Sequence, residues 1–236
     1  MKKTLIFMFL IISILMFSEI IDQKSIDLNG DGINEKITLE GTYISSIYID
    51  GLTLNISNST NYSTSINLGF GAYNPEMEFY DFDGDKKLDV FVKGYSGGSG
   101  NYLYYYIYSY TNGKLLSSDD TILDLETAFM DNFKALVKYK NAYTYIDLSD
   151  RKDEYIKTKT YNKYGQFIGK FKELFVGGIG ELEPFDFGHD GIYELKGVIS
   201  ISGIYHADRI GYAHFVYSIK EKRIRWLEIS KLIYAK

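Results

Sequence analysis

An aspartate-led turn recurs along the chain, and each copy opens into a β-rich run: DLNGDGINE starts at Asp27, DFDGDKKLD at Asp81 and DFGHDGIYE at Asp186. Numbered as nine-residue loops, the first places side-chain oxygens at positions 1, 3, 5 and 9 as Asp27, Asn29, Asp31 and Glu35. The second repeats them as Asp81, Asp83, Asp85 and Asp89; the third keeps Asp186, Asp190 and Glu194 but has Gly188 at position 3. The first two copies lie about 50 residues apart and the third about twice as far beyond the second, so a unit without an acidic loop is expected near MDNFKALVKY at 130–139. A repeat of that length accommodates one small antiparallel sheet per unit.

The rest of the chain agrees with a strand-rich fold. Two prolines, 22 glycines and 23 tyrosines favour strands joined by glycine-based turns. Runs with β-type patterning cover 35–40, 43–50, 64–68, 77–80, 88–92, 102–110, 133–139, 143–148, 155–161, 166–171, 193–201, 212–219 and 223–229. One stretch reads both ways: Ile122, Leu125, Phe129, Phe133 and Val137 fit a helical stripe, which predicts a short helix within 119–137. The expectation is an all-β protein of about four antiparallel sheet repeats.

The loop chemistry suits a hard cation. Calcium takes about six to eight oxygens at about 2.3–2.6 Å, and a short loop supplies them by turning alternate side chains inward. Gly30, Gly32, Gly84 and Gly191 permit the backbone curvature that such wrapping needs. An EF-hand is disfavoured, because position 12 is Thr38 in the first loop and Val92 in the second, and both loops run into strands. The competing reading is that Asp, Asn and Gly gather only because they make turns. Three copies on one period favour ion binding, most strongly at the first two loops.

The N-terminus places Lys2 and Lys3 ahead of an apolar run from Leu5 to Phe17, shorter than the roughly 20 residues of a spanning helix. This is the pattern of an export signal over 1–18, with residues 19–236 as a single β-repeat domain. Met16 stands where a small residue is preferred, so an uncleaved anchor is the alternative, and the only membrane contact expected is through that segment. The extracellular space or the cell surface is the expected location. The chain has no cysteine, so stability must come from the core or from bound ions. Its net charge of −5 argues against a nucleic-acid partner. Sequons at Asn55, Asn58 and Asn61 read as a polar loop.

Other constellations carry less. GYSGG at 94–98 matches the nucleophile-elbow pattern around Ser96, but an elbow turns into a helix and here the strand-like NYLYYYIYSY follows. The neighbouring glycines lack the Lys-Ser/Thr pair of a phosphate loop. His206, Asp208 and His214 offer transition-metal donors without a supporting spacing. Tyr102, Tyr104, Tyr106, Tyr108 and Tyr110 share one strand face, where they either stack on a ligand or pack between sheets.

The three acidic loops resemble the calcium-loop repeats of the FG-GAP or VCBS type, found in integrin-like β-propellers and many exported bacterial proteins; ISGIYHADRIGYAHFVYSI, after YELKG, looks like the small exported Firmicute versions. The resemblance implies a propeller-like array, Ca²⁺ held by the loop acids, and a non-enzymatic binding or adhesion role toward a glycan or protein ligand. Four units fall short of the family's seven-bladed ring. The alternatives are an exported hydrolase using Ser96 and a structural envelope protein.

Overall fold

The computed structural model describes residues 18–59, 62–98, 100, 102–118 and 122–233. The export-signal segment 1–17, Thr60 and Asn61 of the sequons, and residues 119–121 of the expected helix lie outside the described residues. The fold is all-β and built from four antiparallel meanders. The first contains β1 (Glu19–Ile26), β2 (Glu35–Tyr43), β3 (Tyr48–Ser57) and β4 (Ser63–Asn67). The second contains β5 (Ala72–Tyr80), β6 (Asp89–Tyr95), β7 (Leu103–Ser109) and β8 (Lys114–Ser117). Pairing of Tyr48 with Tyr73 and of Ile49 with Ala72 merges these two into one eight-stranded sheet. The third has three strands, β9 (Glu126–Met130), β10 (Lys134–Tyr139) and β11 (Ala142–Asp147). The fourth has β12 (Phe175–Phe185), β13 (Glu194–Ser202), β14 (Arg209–Ser218) and β15 (Arg223–Lys231). Among the described residues no sheet closes into a barrel.

Alternation along β6 and β7 explains where the core lies, because successive side chains leave opposite faces of a strand. Val90, Val92 and Tyr108 enter a cluster with Ile37, Leu39, Leu54 and Ile56 of the first meander. Phe91, Tyr105 and Ile107 enter a second cluster with Phe129, Val137, Leu182, Ile199 and Phe215 of the third and fourth meanders. These strands are therefore buried on both sides, which accounts for their apolar and aromatic density. Tyr106, Tyr108 and Tyr110 pack against the first meander, so most of the tyrosine ladder is inter-sheet filling; Tyr104 is partly exposed beside Phe70.

Several expectations need correction. The run 43–50 is interrupted by the β2–β3 turn at 44–47, and the sequon at Asn55 lies within β3 rather than in a polar loop. The helical stripe of 119–137 is instead the β9–β10 hairpin: Asn132 and Phe133 adopt φ of 63° and 53°, which a right-handed helix cannot hold, and β11 pairs the hairpin's other edge. The run 155–161 is not a strand. It begins within α1 (Lys152–Lys157), and its buried rings Tyr155 and Tyr161 have centroids 6.1 Å apart, whereas six residues of strand span about 20 Å. Asp153 and Glu154 in the first turn and Lys157 in the last suit the helix dipole. The run 166–171 contributes only an isolated bridge between Tyr161 and Phe167. Among the described residues no helix is long and apolar enough to cross a membrane.

Candidate metal centre

Each acidic loop joins the first two strands of its meander: β1 to β2, β5 to β6 and β12 to β13. The β9–β10 turn holds the same place in the third meander, where Asp131 accepts a hydrogen bond from Phe167 N–H and Tyr161 donates to the carbonyls of Met130 and Lys134. No ladder of acids is present at that turn, as its sequence implies.

The three loops share one bonding plan. The position 1 carboxylate accepts N–H groups of its own turn: Asp27 from Gly30 and Gly32, Asp81 from Gly84 and Lys86, Asp186 from Asp190 and Gly191. Position 5 accepts from position 7, at 2.8 Å for Asp31, 2.8 Å for Asp85 and 3.1 Å for Asp190. Position 9 accepts from position 2, at 2.9 Å for Glu35, 2.9 Å for Asp89 and 3.0 Å for Glu194. Positions 4 and 6 have positive φ in every loop, occupied by Gly30 and Gly32, Gly84 and Lys86, and His189 and Gly191. Neighbouring loops are also stitched together, by Leu88 N–H to the Leu28 carbonyl and by Tyr193 N–H to the Asp81 carbonyl.

The loops differ at the second oxygen of position 9, which is buried in all three. In the first, Asn29 Nδ2 donates to Glu35 Oε1 and to Asp31 Oδ2, both at 3.1 Å, so an amide stands between those acids while Asp27 stays with its own backbone. In the third, Arg225 Nη1 of β15 donates to Glu194 Oε1 at 2.7 Å, and its guanidinium lies 5.3 Å from the Phe187 ring centroid. A protein cation thus already neutralises Glu194. In the second, Asp89 is 1% exposed and its Oδ1 has no hydrogen-bond partner. Ser109 lies beside this carboxylate without completing a bond to Oδ1.

Among the described residues, the acids that bring three carboxylates within 4.8 Å of one another are Asp81, Asp83 and Asp89. Asp85 joins through Asn112, whose Nδ2 donates to Asp83 Oδ2 at 3.0 Å and Asp85 Oδ2 at 3.3 Å. Burial, above all, pushes Asp89 up to about 7, opposed by the Phe82 N–H and aided by the charges of Asp83 and Asp85. Asp83 is raised by burial and by Asp85, while Asp27 is lowered, first by the Gly32 N–H. An all-carboxylate donor set with one orphaned buried oxygen fits a divalent cation, and Asp81, Asp83, Asp85 and Asp89 are the residues that would hold it. Asn112 and Arg225 were not legible as site residues, since they reach the loops from the β7–β8 turn and from β15, far along the chain.

The other constellations do not converge on a reaction centre. Ser96 Oγ accepts from Tyr102 N–H and donates to the Gly97 carbonyl, closing the β6–β7 loop. His206 bonds Tyr102 and His214 bonds Ser230. Asp208 is buried and held by Arg151, by the Tyr155 hydroxyl and by Ile204 N–H.

Residues 123–231, the third and fourth meanders, match the family model of the YybI C-terminal domain. The uncharacterized protein YybI of Bacillus subtilis (strain 168) is 32% identical over 200 residues, which cover 80% of this chain and 76% of that relative. No solved structure matches the chain. With similarity of this extent running through all four meanders, the chain belongs to the YybI family.

Proposed function

We propose that this is an exported calcium-binding β-repeat protein of the FG-GAP or VCBS type, acting as a non-enzymatic binding or adhesion module at the cell surface or outside the cell. Its meanders are then successive units of a propeller-like array, a reading supported by the equivalent loop position in each and by the backbone bonds between consecutive loops. The observation that carries the calcium reading is Asp89 Oδ1, buried without a partner among the carboxylates of Asp81 and Asp83. A buried carboxylate oxygen left unpaired is costly, and a divalent ion supplies the missing charge and coordination. The second loop is the principal site, the first a secondary one through Asp27, Asn29, Asp31 and Glu35. Asp186, Asp190 and Glu194 form a remnant whose position 9 acid is already answered by Arg225.

The test is thermal unfolding in EGTA and in calcium, because an ion that binds only the folded loops raises stability by mass action. Calcium should raise the melting temperature; Asp85→Ala should remove most of that rise, Asp31→Ala a smaller part, and Asp190→Ala almost none. Superimposable curves for the unaltered protein would count against the reading.

A further inference from the structure

We propose that the strap between α1 and β12, residues 158–174, docks the protein onto an anionic lipid surface. Lys159, Lys163, Lys170 and Lys172 in the strap, with Lys157 at the end of α1, stand against a single acid of the strap, Glu173, in a chain whose net charge is −5. All five lysines are exposed, and among the described residues none of them forms an ion pair. Glu173 and Asp131, which accepts the Phe167 N–H, stand beside these lysines and leave a local excess of positive charge on the strap, while charges farther off are screened within about 10 Å.

The apolar groups of the strap are as unusual as its charge. Tyr164 is 74% exposed, Phe171 73% and Ile168 54%, although large apolar side chains normally bury most of their area. The backbone explains how they come to stand out. Tyr161 pairs with Phe167, and Asn162 N–H bonds the Gln166 carbonyl, making a short hairpin with Lys163 and Tyr164 at its tip. Phe167 turns inward and stacks on Phe129 at 5.4 Å, so the alternation sends Ile168 outward. Lys163 and Lys170 lie against the rings of Tyr164 and Phe171, at 4.9 and 5.1 Å, which keeps cation and aromatic group together. Next to the hairpin, Lys159, Lys170, Phe171, Phe175 and Ile204, with one acid, Glu173, line a cleft of about 430 Å³.

Lysines alone would suit any polyanion. Lysines interleaved with exposed Tyr, Phe and Ile suit a bilayer interface, where rings and aliphatic groups leave water at the headgroup boundary while the ammonium groups meet anionic phosphates. The occupant is accordingly a lipid surface carrying phosphatidylglycerol-like headgroups. The loop acids take no part, so this inference stands or falls independently of calcium.

Co-sedimentation of the full chain with phosphatidylglycerol–phosphatidylcholine vesicles, against pure phosphatidylcholine vesicles, tests it. The N-terminal apolar run is common to all proteins compared, and the readout is the anionic-minus-neutral difference. The unaltered protein should prefer the anionic vesicles, with the preference falling as salt rises. Lys163→Gln, Lys170→Gln and Lys172→Gln together should reduce anionic partitioning by about 100-fold, at about five-fold per lysine. The matching Lys→Arg protein should bind as the unaltered one does, and Tyr164→Ser with Phe171→Ser should weaken binding by about 10-fold while keeping the salt dependence. Equal partitioning of the unaltered protein into both vesicle types would overturn the proposal. So would unchanged binding by the Lys→Gln protein. A third result, full binding by the Tyr164→Ser, Phe171→Ser protein with displacement by soluble polyphosphate, would assign the strap to a soluble polyanion instead.

Discussion

At the scale of single residues, Asp89 is the group whose environment is least balanced. Its carboxyl titrates near 7 in the fold, raised by burial, against about 3.9 in an unfolded chain. The folded state therefore holds a proton that the unfolded state has released across that interval. The contribution of Asp89 to the stability of the ion-free protein is fully present below about pH 4 and falls as pH rises towards about 7, the reverse of a salt-bridged aspartate. Urea denaturation of ion-free protein at several pH values should show this decline. Asp89→Asn, which keeps the shape and cannot ionise, should flatten it and make the ion-free protein more stable at neutral pH. A neutral-pH stability unaffected by Asp89→Asn would mean that the carboxylate is solvated after all. Calcium should offset the decline in the unaltered protein by taking the proton's place.

At the scale of elements, the loops show why part of the site could be read from sequence and part could not. The bonds that shape each turn connect residues at most a few positions apart, so the Asp, Asn and Gly spacing encodes the turn directly. The strands that follow the loops, β2, β6 and β13, were legible from alternation, and so was β5, but β1 and β12, which lead into the first and third loops, were missed. What decides the charge state of each loop comes from elsewhere: Asn112 from the β7–β8 turn and Arg225 from β15. The helix at 152–157 was missed for a related reason, since only packing distinguishes Tyr155 in a helical turn from Tyr155 in a strand. A prediction belongs to this level. Arg225→Gln removes the cation facing Glu194, whose side chain is 3% exposed, and leaves a buried carboxylate short of a partner. The melting temperature should drop by several degrees in EGTA, and calcium should not restore it, because the third loop lacks a position 3 oxygen. Recovery of the whole loss in calcium would show instead that the guanidinium had been standing in for a competent ion site.

At the scale of the whole molecule, the question is whether an ion held between β5 and β6 can be felt at the opposite end of the chain. The second loop leads into strands that serve both hydrophobic clusters: Phe82 and Phe91 pack with Leu195, Ile199 and Phe215, while Val90 and Val92 pack with Ile37 and Leu39. Tyr193 N–H bonds the Asp81 carbonyl, so the third loop is tied to the second by backbone as well as by core. Disrupting the β5–β6 turn would open both clusters, and the four meanders should unfold in one transition. The chain's only tryptophan, Trp226, lies on β15 of the fourth meander and reports there. At a calcium concentration of about 100 times the dissociation constant, the expected gain of about 2.7 kcal/mol shifts the melting temperature by about 5–10 °C. Trp226 fluorescence and far-UV circular dichroism should move by that same amount, and in Asp89→Asn both should lose most of the shift together. A calcium shift seen by circular dichroism but not by Trp226 would mean that the fourth meander unfolds on its own, and that the shared cluster around Phe91 and Phe215 does not couple the two halves.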